Sequence, residues 1–189
     1  SDLAKELKEM PASIYTCYEK TSDEGVLQAI IVDDHGSKKL VNELTCTADP
    51  VPAYLIFNQT PYFAENGGQI GDSGMIGNSK SMIQVNNCTK TIRKVYIHDA
   101  VLQSGTIKVG DKFTLTVDKE RREKIRKNHT ATHLLHAALR EKFGKQLVQS
   151  GSFVGPDYLR FDFNHPCALT TQEIREIEER VNWAVMQDW

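Results

Sequence analysis

His129 and His133 lie four residues apart in the run Asn128-His129-Thr130-Ala131-Thr132-His133-Leu134-Leu135-His136. On a helix that spacing sets the two imidazoles about 40° apart around the axis, one above the other on one face. Neutral imidazole is the commonest protein metal ligand, and zinc takes it at about 2.0–2.1 Å. The pair is therefore a candidate zinc-binding element, although His136 shares roughly the same face and helical spacing alone names no further ligand. The metalloprotease version of the motif needs a Glu directly after the first His to act as base. Thr130 occupies that position, which disfavours a protease.

Two other stretches have chemistry to offer. Lys119, Arg121, Arg122, Lys124, Arg126 and Lys127, against Glu120 and Glu123, make a local cationic strip just before the histidines. Such a run is ordinarily a solvated helix face, and it can equally contact phosphates by displacing their counterions. Gly67-Gly68-Gln69 is either a loop that needs positive φ or a backbone surface that an RNA end can approach closely. Its spacing fits neither a dinucleotide fingerprint nor a phosphate-binding P-loop.

These residues need a scaffold, and the chain supplies the signals for one. Leu3, Leu7 and Met10 form a helical stripe stopped by Pro11, predicting a helical tail over 1–10 that belongs to an upstream region. Strand-like runs follow at Val26–Val32, Tyr54–Phe57, Met82–Val85, Ile92–His98 and Lys112–Val117. Asp33-Asp34-His35-Gly36, Asp72-Ser73-Gly74, Asn86-Asn87 and Val109-Gly110-Asp111 punctuate them as turns. Short strands at this spacing predict a small β-barrel over 11–118. Asp118 is the expected N-cap of a basic helical segment, with the histidine helix restarting at Asn128 and ending near Gly144. Leu147–Val154 and Tyr158–Phe163 predict a hairpin turning at Gly155-Pro156-Asp157. Thr170 and Glu173 form a capping box for a last helix that carries Ile174, Ile177, Val181 and Val185 on one face. The expected class is α+β, a barrel followed by a core over 119–189 built on the His-x-x-x-His helix.

The net charge of −2 gives no global field that would draw the chain to nucleic acid. No apolar run approaches a membrane span, and the charged start Ser1-Asp2-Leu3-Ala4-Lys5 is unlike a secretion signal. Cys17, Cys46, Cys88 and Cys167 are scattered, as expected of intracellular free thiols rather than a disulfide framework.

Thr60-Pro61-Tyr62-Phe63-Ala64-Glu65-Asn66-Gly67-Gly68-Gln69-Ile70-Gly71-Asp72-Ser73-Gly74 is one of two long strings that match a known family in order. The other runs from Asn128 to Arg140 and continues in Gln149–Ser152 and Leu159–Phe163. Together they resemble the editing domain of alanyl-tRNA synthetase, a superfamily shared with freestanding trans-editing proteins. The whole synthetase attaches alanine to its tRNA using ATP, in the cytoplasm. The resemblance implies that this domain hydrolyses the ester of a wrong serine or glycine on the tRNA for alanine, with no DNA or membrane partner. It places His129 and His133 among the zinc ligands, and Gln149 and Thr132 in the editing pocket. The tRNA would be met by Arg121, Arg122, Arg126 and Lys127 and by Gly67, Gly68 and Gln69. The family completes its zinc site with a Cys-x-x-x-His pair, expected beyond Trp189, which would leave the Zn2+ site half present and the core incomplete. A complete trans-editing protein and a non-catalytic tRNA-binding module are the competing expectations.

Overall fold

The computed structural model describes residues 2–187. Ser1, Asp188 and Trp189, which the outermost expected boundaries include, lie outside them. The fold is α+β, with three helices and a large, mostly antiparallel sheet. The chain forms two compact units, Ser1–Asn66 with Ile70–Arg121, and Gly67–Gln69 with Arg122–Trp189.

The first unit contains α1 (Asp2–Glu9), β1 (Ile14–Tyr15), β2 (Ser22–Asp34), β3 (Ser37–Val41), β4 (Glu43–Cys46), β5 (Val51–Phe57) and β6 (Gln59–Thr60). It continues through β7 (Gly74–Gly77), β8 (Ser81–Lys90), β9 (Tyr96–Lys108) and β10 (Lys112–Val117). The sheet path runs β10-β7-β8-β9-β5-β2-β3, with β4 on β9, and β10 pairs with β2 as well as with β7. The hydrogen-bonded circuit β10-β7-β8-β9-β5-β2 thus returns to its start. Strict alternation places Phe113, Leu115 and Val117 of β10, and Ser81, Ile83 and Val85 of β8, on the buried side. The apolar ones among them meet Leu27, Phe57, Tyr62, Ile76 and Leu102 in one core.

β2 does not alternate at Ala29-Ile30-Ile31, where all three residues are buried. The reason is α1: Leu3, Leu7 and Met10 pack on Ala29, Ile31, Ile56 and Val95, covering the outer face that would otherwise meet water. A strand covered on both faces tends to a continuous apolar run, and Val26–Val32 is one broken by Gln28 alone.

Three sequence expectations are corrected here. Asn86-Asn87 is no turn but a bulge inside β8, where the register shifts between Val85 and Asn87. Asp72-Ser73-Gly74 leads directly into β7, because the Asp72 carboxylate accepts the Phe63 N–H at 2.8 Å and ties the loop back. Ile92 is fully exposed in the β8–β9 connection, and the strand starts only at Tyr96, after Lys94 takes φ 61°.

α2 (Lys119–Phe143) begins in the first unit and from Arg122 on belongs to the second. The Arg121 N–H donates to Asp118 Oδ1 at 3.0 Å, so Asp118 is the N-cap. The expected restart at Asn128 does not occur: the helix is continuous. Asn128 Nδ2 donates instead to the carbonyls of Gly155 at 2.8 Å and Pro156 at 3.3 Å, so its side chain braces the hairpin turn rather than capping a helix. Gly144, at φ 93°, ends α2 with its N–H on the Arg140 carbonyl.

β11 (Gln149–Val154), β12 (Leu159–Phe163) and α3 (Thr171–Gln187) complete the second unit. Thr170 caps α3 reciprocally: Glu173 N donates to Thr170 Oγ1, and Thr170 N donates to Glu173 Oε1. The core is small, with Ala138, Leu139, Leu147 and Ile177 buried among half-covered Leu135, Phe161, Phe163 and Val181.

Candidate functional site

His129 and His133 occupy successive turns of α2, both exposed, with ring centroids 4.6 Å apart and Nε2 atoms 2.9 Å apart. The helical spacing thus brings together the two atoms that could bind a metal. His129 is held below the usual imidazole range, first by partial burial of its ring and then by the neighbouring His133. That favours the neutral form a metal requires.

The donor chemistry suits zinc. Two nitrogens on a tetrahedral zinc at 2.0–2.1 Å stand about 3.3 Å apart, so the pair would need to open only slightly. Among the described residues, no group of three or more His, Cys, Asp or Glu is gathered to hold a metal ion. His165 lies near Cys167 in sequence, but its Nδ1 engages the Cys167 backbone in a tight loop.

Thr132 is half-buried and donates its hydroxyl to the Asn128 carbonyl at 2.8 Å, which leaves the oxygen's acceptor side open. Gln149 is exposed at the start of β11, opposite Phe163, beside a bulge that leaves Ser150 unpaired in the ladder. No hydrogen bond or ring contact among the described residues joins Gln149 to the histidine pair.

Gly67, Gly68 and Gln69 dock on β11. Val154 N donates to the Gly68 carbonyl at 2.9 Å, Gln69 bridges Val154, and Ser152 Oγ donates to the Gly67 carbonyl at 3.4 Å. Both glycines have positive φ, 56° and 86°, as their sequence suggests. They differ in surroundings: a Cβ on Gly68 would lie 2.4 Å from the Ser152 carbonyl oxygen, whereas one on Gly67 would meet nothing within 4 Å. Packing against β11 thus demands glycine at Gly68.

The cationic strip is divided in use. Arg121 Nη1 donates to the Gly71 carbonyl at 2.9 Å, a structural tie. Arg126 is exposed and only loosely paired with Glu123 at 3.4 Å. Arg122 is half-buried, and Lys127 is exposed.

Sequence reasoning passed over His98, which lies in the first unit. It is fully buried, its Nδ1–H donates to the Leu55 carbonyl at 2.9 Å, and its Nε2 accepts the Thr60 hydroxyl at 2.8 Å. The edges of Phe57 and Tyr62 close around it. Burial lowers its pKa to about 4, against a smaller opposing effect of the Leu55 hydrogen bond. Nothing local marked it, because its partners lie 43 and 38 positions away. Much of the Thr60–Gly74 string is likewise bracing. Tyr62 Oη donates to the Thr116 carbonyl at 2.6 Å, and Gly71 N donates to Asn87 Oδ1 at 2.9 Å.

The chain is 44% identical over 169 residues to an alanine–tRNA ligase of Sphingopyxis alaskensis, covering 89% of this chain and 18% of that protein. It is 38% identical over 177 residues to those of Sinorhizobium medicae and Rhizobium meliloti, covering 94% of this chain and 19% of each. It therefore spans about a fifth of the length of these curated relatives. The family model described as tRNA synthetases class II (A) matches residues 2–121. With that match over more than half its length, the chain belongs to the class II (A) tRNA synthetases.

Proposed function

We propose that the chain is the editing domain of an alanyl-tRNA synthetase, hydrolysing seryl or glycyl esters on the tRNA for alanine. The whole protein would charge that tRNA with alanine using ATP. The closed circuit of strands in the first unit is read as a small barrel, and residues 119–189 as the editing core. One observation carries the proposal: the His129 and His133 Nε2 atoms meet at 2.9 Å on the exposed side of α2, in a chain with this similarity to alanine–tRNA ligases.

Editing answers a chemical difficulty. Serine adds one hydroxyl to alanine, and an apolar synthetic pocket rejects such an isostere weakly, so a second, hydrolytic sieve is needed. A site that hydrogen-bonds the hydroxyl rejects alanine, which leaves polar groups unpaired. The open acceptor side of Thr132 Oγ1 and the Gln149 amide have the chemistry to receive it. His129 and His133 would hold zinc as two of its ligands, the others coming from outside the described residues. Bound zinc supplies a Lewis acid or a water acidified to near pH 7. Arg126, Lys127 and the Gly67–Gln69 backbone would meet the tRNA.

The exposed cationic side chains of Arg126 and Lys127 favour a second reading, a tRNA-binding module without catalysis. Hydrolysis of seryl-tRNA for alanine by this chain, with and without added zinc, separates the two. Zinc-dependent release of serine that is lost in His133→Ala supports editing. Binding of the tRNA without release supports the module.

A further inference from the structure

The first unit contains an open cavity of about 530 Å3, lined among others by Met75, Gln84, Asn86, Thr116, Asp118 and Arg121. That volume is in the ordinary range for small-ligand sites.

Its lining is more specific than its size. Asn86 is the extra residue of the β8 bulge: Val85 pairs with Ala100 and Asn87 with Asp99, so Asn86 has no partner across the ladder. Bulges re-aim side chains and gather beside binding sites. The Asn86 side chain is exposed and makes no hydrogen bond to any other described residue. Gln84 Oε1 accepts the Gln103 amide at 3.3 Å, which orients Gln84 with its own NH2 available as a donor. Arg121 is steadied through Nη1 on the Gly71 carbonyl, and a guanidinium has five N–H donors to distribute. Asp118 is the acidic residue of the lining, and its Oδ1 is engaged by the Arg121 backbone N–H as the helix cap. Met75 is 41% exposed and offers an apolar, polarisable surface.

We propose that this cavity takes one nucleotide of a single-stranded RNA segment. Carboxamides match the donor and acceptor pairs of base edges, so Asn86 and Gln84 would read the base. Met75 would cover its face, and the planar Arg121 fork would take the phosphate. The chemistry is that of any nucleotide, and the occupant assigned is RNA. The inference rests on the tRNA reading above and adds to it a specific contact that the cationic strip does not provide.

The test measures affinity for a fluorescent short single-stranded RNA, with adenosine monophosphate as competitor and whole tRNA in parallel. Asn86→Ala and Asn86→Asp should each weaken the short RNA about tenfold, the effect expected for one paired base edge. Gln84→Ala should weaken it in the same direction and serves as the second variant should Asn86→Ala melt early. Equal affinity of wild type and both Ala variants, or no binding of the short RNA, overturns the proposal. Displacement by adenosine monophosphate at equal concentration assigns the cavity to a free nucleotide and overturns the RNA occupant. Unchanged tRNA binding in Asn86→Ala, alongside unchanged binding of the short RNA, removes the cavity and leaves the tRNA reading intact. Binding of the short RNA without any binding of tRNA does the reverse.

Discussion

The Nε2 atoms of His129 and His133 face each other at 2.9 Å, so between neutral rings one donates and the other accepts. The same two atoms are the ones a metal would take. Two imidazoles fill half of a tetrahedral shell, and the described residues offer no third ligand close by. Zinc should therefore bind this chain weakly, well below one equivalent after dialysis, and His133→Ala should abolish what remains. Equilibrium dialysis with metal analysis measures both. Tight one-to-one zinc that survives His133→Ala would place the site elsewhere.

Selectivity tests Gln149. On zinc-loaded protein that hydrolyses the ester, Gln149→Ala should slow the seryl ester more than the alanyl ester, and His133→Ala should slow both. Because Gln149 is exposed, its hydrogen bond competes with water, and the expected effect is about 1 kcal/mol, roughly fivefold. Single-turnover rates on the two esters decide the matter, and equal slowing of both by Gln149→Ala removes it from recognition.

The strip should announce itself through salt. Arg126→Ala and Lys127→Ala leave the Gly71 tie that Arg121 makes intact, so they probe phosphate binding without breaking it. For every phosphate that a side chain no longer neutralises, the log–log salt slope of tRNA binding should fall by about 0.7–0.9. An unchanged slope in the double variant would return the strip to an ordinary solvated face.

Acid should weaken the first unit through His98. Unfolded, the ring protonates near pH 6.5; folded, only near pH 4. Between those values the unfolded state binds the extra proton, so stability is fully present above about pH 6.5, declines as pH falls, and levels off below about 4. The whole window is worth on the order of 3 kcal/mol. Urea midpoints at pH 7 and pH 4.5 should differ accordingly in the wild type and much less in His98→Gln.

Glycine substitutions should separate two adjacent positions. Gly67→Ala, with open space around it but positive φ, should cost about 1 kcal/mol. Gly68→Ala adds a collision with the Ser152 carbonyl and should cost several times that. Denaturation of the second unit measures the difference, and equal destabilisation would contradict the docking on β11.

What the sequence revealed and what it hid follow from the range of the forces involved. Asp118, Gly144 and the Thr170–Glu173 box act within one helical turn, and each does in the structure what its type suggests. Asn128 misled because its amide serves a turn 27 positions away. Asn86 misled because a bulge and a turn draw on the same residue types, and only the register of the neighbouring strand distinguishes them. Ile92 is an apolar residue left in water, against every pattern rule. The histidine pair was legible by spacing, whereas the exposure of Gln149 depends on packing that no local signal reports.

The double pairing of β10 has a consequence in time. Thr116 lies opposite Ser22, 94 positions back, whereas β8 and β9 meet across a short connection. Closing so long a loop costs chain entropy before any hydrogen bond of the seam can form. The β2–β10 seam should therefore form last and set the folding rate of the first unit. On the ribosome, the Ser22–Val26 stretch of β2 must wait for nearly the whole unit to be synthesised before its β10-facing edge is covered. Until then that edge presents open N–H and C=O groups to any strand that reaches it first.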